Sequence, residues 1–149
     1  MKTFTLFLCV FFMLFSNAIA KEITLENYRN QLEQCLEIFK TEEEKCSEKW
    51  RVKCYNHLMK TNEKTQRCYK NIAVDLFKKF YNLSEKNAIN RFDEYSTFIN
   101  KQYFFIFAET NFCKNNNCGI SLNLYSEYAT TQQLYDYVNK IINSISSRI

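Results

Sequence analysis

The sequence predicts an all-α fold, a disulfide-stapled antiparallel bundle of about five helices. Three observations predict it: the 149 residues include no proline and one glycine, apolar residues recur at helical spacing, and cysteines flank the proposed helix breaks. Proline and glycine are the residues that most strongly interrupt helices, so their scarcity favours long helical segments. No stretch of the chain shows a convincing strand pattern.

Residues 1–20 have the pattern of a secretory signal peptide. Lys2 precedes a long apolar stretch that ends in Ala18-Ile19-Ala20, an A-x-A cleavage pattern. The apolar stretch 4–15 is shorter than the roughly 20 residues that a membrane-spanning helix needs. We therefore expect cleavage after Ala20, a periplasmic or secreted protein with no membrane span, and a single helical domain over residues 21–149.

The predicted mature chain keeps 129 residues and six of the seven cysteines, because Cys9 lies in the signal segment. Lys2 is the only charged residue removed, so the formal net charge falls from +4 to +3. Lysines and acids are mixed along the chain, which predicts a solvated surface and gives no argument for nucleic-acid binding. An even number of cysteines in an exported chain indicates disulfides. These cysteines are Cys35, Cys46, Cys54, Cys68, Cys113 and Cys118.

Three rows of apolar residues have the spacing of amphipathic helices. Each row predicts the face that its helix turns towards the core. The rows are Leu25, Tyr28, Leu32, Cys35, Leu36 and Phe39; then Tyr69, Ile72, Ala73, Leu76, Phe80 and Leu83; and finally Leu134, Tyr137, Val138, Ile141, Ile142 and Ile145.

Side chains that cap helices predict where the later helices begin. The proposed caps are Thr41 in the capping-box pattern Thr41-Glu42-Glu43-Glu44, Thr61 or Asn62, Ser84, and Thr130 or Thr131. The helix after Ser84, about residues 84–112, contains the sequence YFFIF, which is apolar almost all round and predicts a central, buried helix. Residues 119–128, GISLNLYSEY, alternate weakly and are predicted to be loop.

The cysteine positions suggest a pairing. In an antiparallel hairpin, positions equidistant from the turn face each other. The midpoint of Cys35 and Cys46 falls at the break before Thr41, and that of Cys54 and Cys68 falls at Thr61. The local pairs 35–46, 54–68 and 113–118 are therefore favoured among the 15 connectivities that six cysteines allow. Cys46 and Cys54 would then share one helix and point about 80° apart.

The segment 113–118, CKNNNC, is predicted to be a disulfide-closed loop. A metal cluster or a thioredoxin-like redox site would want histidines or CxxC motifs. The chain has one histidine and no CxxC motif. Asparagines in the loop tolerate turn conformations, and Gly119 follows directly. We expect no metal and no cofactor.

Few residues offer catalytic chemistry. His57 is the only histidine, so Ser–His–Asp catalysis would have to use it, and no glycine-flanked serine is present as nucleophile. Glu42 and Glu44 could mimic a glycosidase pair, yet acids at a predicted helix start also favour the helix dipole. We expect no enzymatic activity. The alternatives are an exported enzyme or toxin that uses His57 or a carboxylate pair, and a structural envelope protein.

Residues 35–82 and 99–113 resemble the LprI-type lysozyme-inhibitor-like family of small exported helical proteins. The resemblance rests on CLEIFKTEEEKCSEKWRVKCYNHLMKTNEKTQRCYKNIAVDLFKKFYN and INKQYFFIFAETNFC, which match the family in cysteine spacing and helix order. The family's tryptophan falls on Phe105, and its arginine falls on Glu109 with reversed charge. The resemblance implies an all-α periplasmic protein of bacterial origin and lysozyme inhibition as the expected function.

A lysozyme inhibitor is expected to present acids, because lysozymes are usually cationic. A rigid disulfide scaffold suits inhibition, because preorganisation lowers the entropy lost on binding. The partner to expect is therefore a protein such as lysozyme. The candidate partner-binding residues are Glu42, Glu43, Glu44, Glu48 and Glu109.

Overall fold

The computed structural model describes residues 2–47, 52–109 and 118–148, and every regular element in these ranges is an α-helix. The helices are α1 (Lys2–Ser47), α2 (Val52–Tyr81), α3 (Glu85–Glu109) and α4 (Cys118–Ser146). The all-α class is confirmed, whereas the expected number of about five helices is wrong, because these ranges contain four. No helix among the described residues is both long and apolar enough to cross a membrane.

The four helices run alternately up and down. Lys70 lies 2.7 Å from Asp93 and Lys78 lies 3.2 Å from Glu85, so α2 and α3 are antiparallel. Over the described ranges, α2 and α4 each contact all three other helices, whereas α1 and α3 do not contact each other. α2 and α4 therefore form the close diagonal of the bundle, and α1 and α3 lie on opposite sides of it.

The core is built from the rows that the periodicity predicts. Leu36, Phe80, Leu83 and Tyr137 are partly exposed, and the other members of the three rows are buried. Ala88 and Phe92 of α3 complete the same cluster. The predicted inward faces of α1, α2 and α4 are therefore confirmed.

The predicted helix breaks at Thr41 and Thr61 are wrong. α1 continues through Thr41 to Ser47, and α2 continues through Thr61, so the boundary between the first two helices lies after Ser47 and before Val52. Thr41 is exposed on α1, and Glu42 after it pairs with a base within the same helix. The Nζ of Lys45 lies 2.6 Å from Glu42, and an ion pair at this spacing favours continuation of the helix.

The displaced break changes the disulfide pairing. The bonds are Cys35–Cys68 and Cys46–Cys54, so the predicted pairs 35–46 and 54–68 are wrong. Both bonds join α1 to α2, one nested inside the other, with Cα–Cα distances of 6.2 and 5.6 Å. Cys46 and Cys54 thus lie on different helices. The predicted pair 113–118 includes Cys113, which lies outside the described residues.

Four polar residues predicted as helix caps are internal and buried instead. Thr61 and Asn62 lie within α2, and Thr130 and Thr131 lie within α4. The Asn62 amide donates to the Leu58 carbonyl at 3.0 Å, four residues earlier in the same helix. Side chains that suit caps also bond to nearby carbonyls inside helices, so the cap interpretation was wrong for these residues.

Asn62 and Thr131 belong to a polar layer in which α2 packs on α4. The Thr131 hydroxyl lies 2.8 Å from Asn62 Oδ1, and Gln66 donates to Thr131 Oγ1 at 3.0 Å and to the Glu127 carboxylate at 2.8 Å. Asn100 of α3 donates to the other oxygen of Glu127 at 2.8 Å. The layer therefore connects three helices and fixes their register, because each buried polar group needs its partner.

The start of α3 is confirmed. Ser84 precedes Glu85, and its hydroxyl accepts a hydrogen bond from the Asn87 amide at 3.3 Å, which is the N-cap contact expected of serine. Asn82 has a φ of 54°, a left-handed conformation that asparagine tolerates. The chain thus reverses between α2 and α3 within three residues.

The central, buried position predicted for YFFIF is wrong. Phe104, Phe105 and Ile106 are 44%, 65% and 49% exposed, and Phe98 one to two turns earlier is 55% exposed. α3 lies at a corner of the bundle, so its outward side has no helix against it among the described residues. An apolar segment is buried only where neighbours cover each side.

The loop predicted for residues 119–128 is wrong, because α4 begins at Cys118. Leu122 and Leu124 are both buried, and the Ser126 hydroxyl donates to the Asn100 carbonyl of α3 at 3.1 Å. Residues two apart are covered together because this part of α4 has neighbours on more than one side. Burial on several sides produces the weak alternation of the sequence without a strand.

Candidate functional site

Three of the candidate acids lie together at one end of the bundle. Glu42, Glu43 and Glu44 lie in the last two turns of α1, next to the Cys46–Cys54 disulfide. Glu109 is the last residue of α3, and the alternating helix directions place it at this same end. Its side chain and all of Glu48 lie outside what the structure describes. We call Glu42, Glu43 and Glu44 the acidic end.

Glu42 contacts two bases. One of its carboxylate oxygens lies 2.6 Å from Lys45 Nζ, and the other lies 2.6 Å from His57 Nε2 of α2. The hydrogen bond from Lys45, followed by that from His57, lowers the pKa of Glu42 below its usual value. Glu42 therefore stays ionised and ties α1 to α2 near the outer turn of the hairpin.

Glu43 faces α4. The Tyr128 hydroxyl donates to Glu43 at 3.4 Å, and the Tyr128 ring packs against Phe39 with centroids 5.5 Å apart. Burial, followed by the charge of Glu43, raises the pKa of Tyr128, so its hydroxyl remains a donor. Glu43 is thereby held by a helix that is distant in sequence, while Glu44 is exposed.

No family model, curated protein or solved structure matches this chain. The resemblance of residues 35–82 and 99–113 to the LprI-type family therefore stays a prediction.

The local chemistry of the acidic end does not match a glycosidase pair. A general acid in such a pair needs a raised pKa, so that its carboxyl group is protonated at neutral pH. Glu42 has a lowered pKa because two bases donate to it. Glu42 is therefore poorly suited to donate a proton to a leaving group.

A second polar cluster, not predicted from the sequence, joins α1 to α2 near the other end. Tyr28 donates a hydrogen bond to Asp75, and Lys79 Nζ lies 2.8 Å from the Tyr28 hydroxyl and 3.0 Å from Asp75. Asp75 and Lys79 are four residues apart, a spacing that indicates a helical ion pair. The sequence could not show that Tyr28 joins this ion pair, because the position of Tyr28 in an apolar row predicts only that it is buried.

The residues of this cluster shift one another's pKa values. Burial, followed by the bond to Asp75, raises the pKa of Tyr28. Burial acts to raise the pKa of Asp75, but hydrogen bonds from Tyr28 and Lys79 outweigh it, so that pKa is lowered. Because Tyr28 stays protonated at neutral pH, the cluster links the two helices and does not supply an activated base.

A groove of about 470 Å³ lies between α1 and α2 beside this cluster. Its wall includes the Cys35–Cys68 disulfide, the Tyr28–Asp75 pair and the amide side chains of Gln31, Gln34 and Asn71. The amides are exposed. Ile38 and Ile72 complete a wall that is more apolar than polar, and its acid is engaged by Tyr28 and Lys79. The groove therefore lacks the charge that the acidic end offers.

A hydrogen bond between α1 and α4 gives a testable alkaline titration. Tyr135 of α4 donates to Glu33 of α1. This bond, followed by burial, raises the pKa of Tyr135 from 10.0 to about 12. Its contribution to stability is complete below pH 10, where folded and unfolded chains are both protonated. It is lost as the pH rises to about 12, because the unfolded chain ionises first.

Replacing Glu33 with glutamine (Glu33→Gln) should lower the pKa of Tyr135 towards 10. The pKa is read from the ring-carbon NMR shift of Tyr135, assigned by comparison with Tyr135→Phe. Glu37→Gln, an exposed acid one turn further along α1, is the matched control and should leave the titration unchanged. An unchanged pKa in Glu33→Gln would show that Glu33 does not control this tyrosine.

Proposed function

We propose that this chain is a binding protein of the bacterial cell envelope, without catalytic activity, whose acidic end binds a cationic protein such as lysozyme. The observation that carries the proposal is the position of Glu42, Glu43 and Glu44 beside the Cys46–Cys54 disulfide. Two nested disulfides hold the helices that carry this end, so binding loses less conformational entropy.

The attraction is local. The formal charge of the predicted mature chain is +3, so the whole molecule does not attract a cation. Glu42 is compensated by Lys45 and His57, and Glu43 accepts one bond from a neutral tyrosine. Of these two acids, Glu43 therefore presents more negative charge to a partner than Glu42 does.

The alternative function is an exported enzyme that uses His57. Glu42 orients the His57 imidazole at 2.6 Å, which is one of the two contacts that a catalytic histidine needs. The other contact is a nucleophile within hydrogen-bond reach. In the described ranges, His57 bonds to the Glu42 carboxylate and to no hydroxyl or thiol. A binding function is therefore better supported than an enzymatic one.

The oxidised protein, at micromolar excess and low ionic strength, is expected to slow lysis of bacterial walls by lysozyme. Glu43→Lys with Glu44→Lys should weaken this inhibition at least tenfold, because two attractive charges become repulsive. Added salt should weaken it too, since the attraction between exposed charges decays over about 10 Å at 0.1 M salt. The rate of turbidity loss of a cell-wall suspension measures the effect.

Glu22→Lys with Glu26→Lys is the matched control, with the same charge change on the same helix, about five turns before the acidic end. It should change inhibition less than twofold. Unchanged lysozyme activity in the presence of the oxidised wild-type protein would remove the lysozyme proposal. Equal losses in both double variants would show that net charge, and not the acidic end, determines binding.

A further inference from the structure

The outward side of α3 carries an exposed stripe of acid, aromatic, base and aromatic. Its members are Glu94, Phe98, Lys101 and Phe105, spaced four, three and four residues apart. At about 100° per residue they lie within about 60° of one another around the helix. Phe98 and Phe105 are 55% and 65% exposed, and a shallow depression borders Glu94, Phe98 and Lys101. We call these four residues the α3 stripe.

Two features separate the α3 stripe from an ordinary solvated helix face. Alternating steps of three and four are the spacing of a seam between two packed helices. Exposed aromatic residues that are contiguous along one face mark interaction sites more often than exposed single apolar residues do. Phe104 and Ile106, 44% and 49% exposed, flank the stripe and extend the apolar surface.

The charges of the α3 stripe are complementary to those of the same stripe on a second, antiparallel copy. In the described part of the chain, the ion pairs of the structure include neither Glu94 nor Lys101. A two-fold axis perpendicular to α3 beside Phe98 brings Glu94 of each copy opposite Lys101 of the other. The same operation places the two Phe98 rings at the centre of the contact. A symmetric dimer uses one surface patch twice in this way.

We propose that the protein self-associates through the α3 stripe as an antiparallel, two-fold symmetric dimer. The charges favour this occupant over a membrane surface, because Asp93 and Glu94 stand next to Phe98 and are repelled by anionic headgroups. Membrane-surface helices concentrate Lys and Arg on the polar side of their apolar face. The stripe instead pairs one acid with one base, which suits a second copy.

Charge exchange tests the pairing directly. Glu94→Lys alone places lysines opposite each other twice per dimer, and Lys101→Glu alone does the same with acids. Each single variant should raise the dimer dissociation constant, measured by sedimentation equilibrium, at least tenfold. The double variant Glu94→Lys/Lys101→Glu restores both pairs with the charges exchanged, and its dissociation constant should return to within about threefold of wild type.

Mixing provides a second measurement. The Glu94→Lys copy carries only bases at the two positions, and the Lys101→Glu copy carries only acids. An equimolar mixture should therefore form heterodimers at concentrations at which each variant alone is monomeric. The control is Glu37→Lys/Lys140→Glu, which exchanges an exposed acid on α1 and an exposed base on α4, and it should dimerise like wild type.

Three results would overturn the proposal. The first is a wild-type protein that stays monomeric to millimolar concentration. The second is a double variant as weak as the single variants, which would show that Glu94 and Lys101 do not face each other. The third is binding of the monomer to vesicles of anionic lipid that Phe98→Ser abolishes, which would assign the α3 stripe to a membrane surface.

Discussion

Removing the Cys35–Cys68 bond by substituting both cysteines with alanine should lower the free energy of unfolding by about 3.5 kcal/mol. Removing Cys46–Cys54 in the same way should cost about 2.5 kcal/mol, because the closed loop is shorter and restricts the unfolded chain less. The sequence separations are 33 and 8 residues. Urea unfolding of the two double variants measures both losses.

Peptide mapping without reduction is the control for the pairing itself. A lysine or arginine lies between every two neighbouring cysteines from Cys35 to Cys68, so trypsin separates the four cysteine peptides. The expected cross-linked products are 35–68 and 46–54. Products linked 35–46 and 54–68 would contradict the nested hairpin. A larger loss for Cys46–Cys54 than for Cys35–Cys68 would contradict the loop-length argument.

The hydrophobic pattern predicted the fold class and three inward faces, because periodicity depends only on which side of a helix meets the core. It could not place the first turn. Thr41 and Thr61 are polar enough to cap a helix, but each is also acceptable inside one. The predicted disulfide pairing was wrong because it used the misplaced turn. The rule behind it was correct, because each observed disulfide joins positions that are nearly equidistant from the turn between α1 and α2.

The polar layer shows why caps were hard to assign. Asn62 and Thr131 are separated by 69 positions, and each satisfies the other across the contact of α2 and α4. Only the packing of those helices brings them together. A sequence pattern reports the local preference of threonine and asparagine, which is the same for a cap and for a bond to a carbonyl four residues earlier.

The acids of the acidic end are candidates that the sequence predicted, but the side chains that contact them were not predicted. Glu42, Glu43 and Glu44 are conspicuous as neighbouring acids, whereas His57 and Tyr128 reach them from α2 and α4. Those partners determine how much of the negative charge of each carboxylate is compensated within the protein. The Tyr28–Asp75–Lys79 cluster shows the same limit, because Tyr28 and Asp75 are separated by 47 positions.

The contrast between α2 and the outward side of α3 gives the second large expected effect. Phe77 is 1% exposed, with the Tyr81 ring centroid at 5.8 Å and the Arg91 guanidinium 5.0 Å from its ring. Phe77→Ala should therefore lower the free energy of unfolding by about 3–5 kcal/mol, through lost burial and a residual cavity. Urea unfolding at micromolar protein concentration measures the loss.

Phe105→Ala is the matched substitution at an exposed position. Phe105 is 65% exposed, so the same change in side chain should alter the free energy of unfolding by less than about 0.5 kcal/mol. Dilute protein is used because self-association through the α3 stripe would otherwise add to the stability of the wild type. Circular dichroism of both variants before unfolding confirms that the helices are present. Similar large losses at Phe77 and Phe105 would return YFFIF to the core and contradict the corner position of α3, on which the proposed dimer depends.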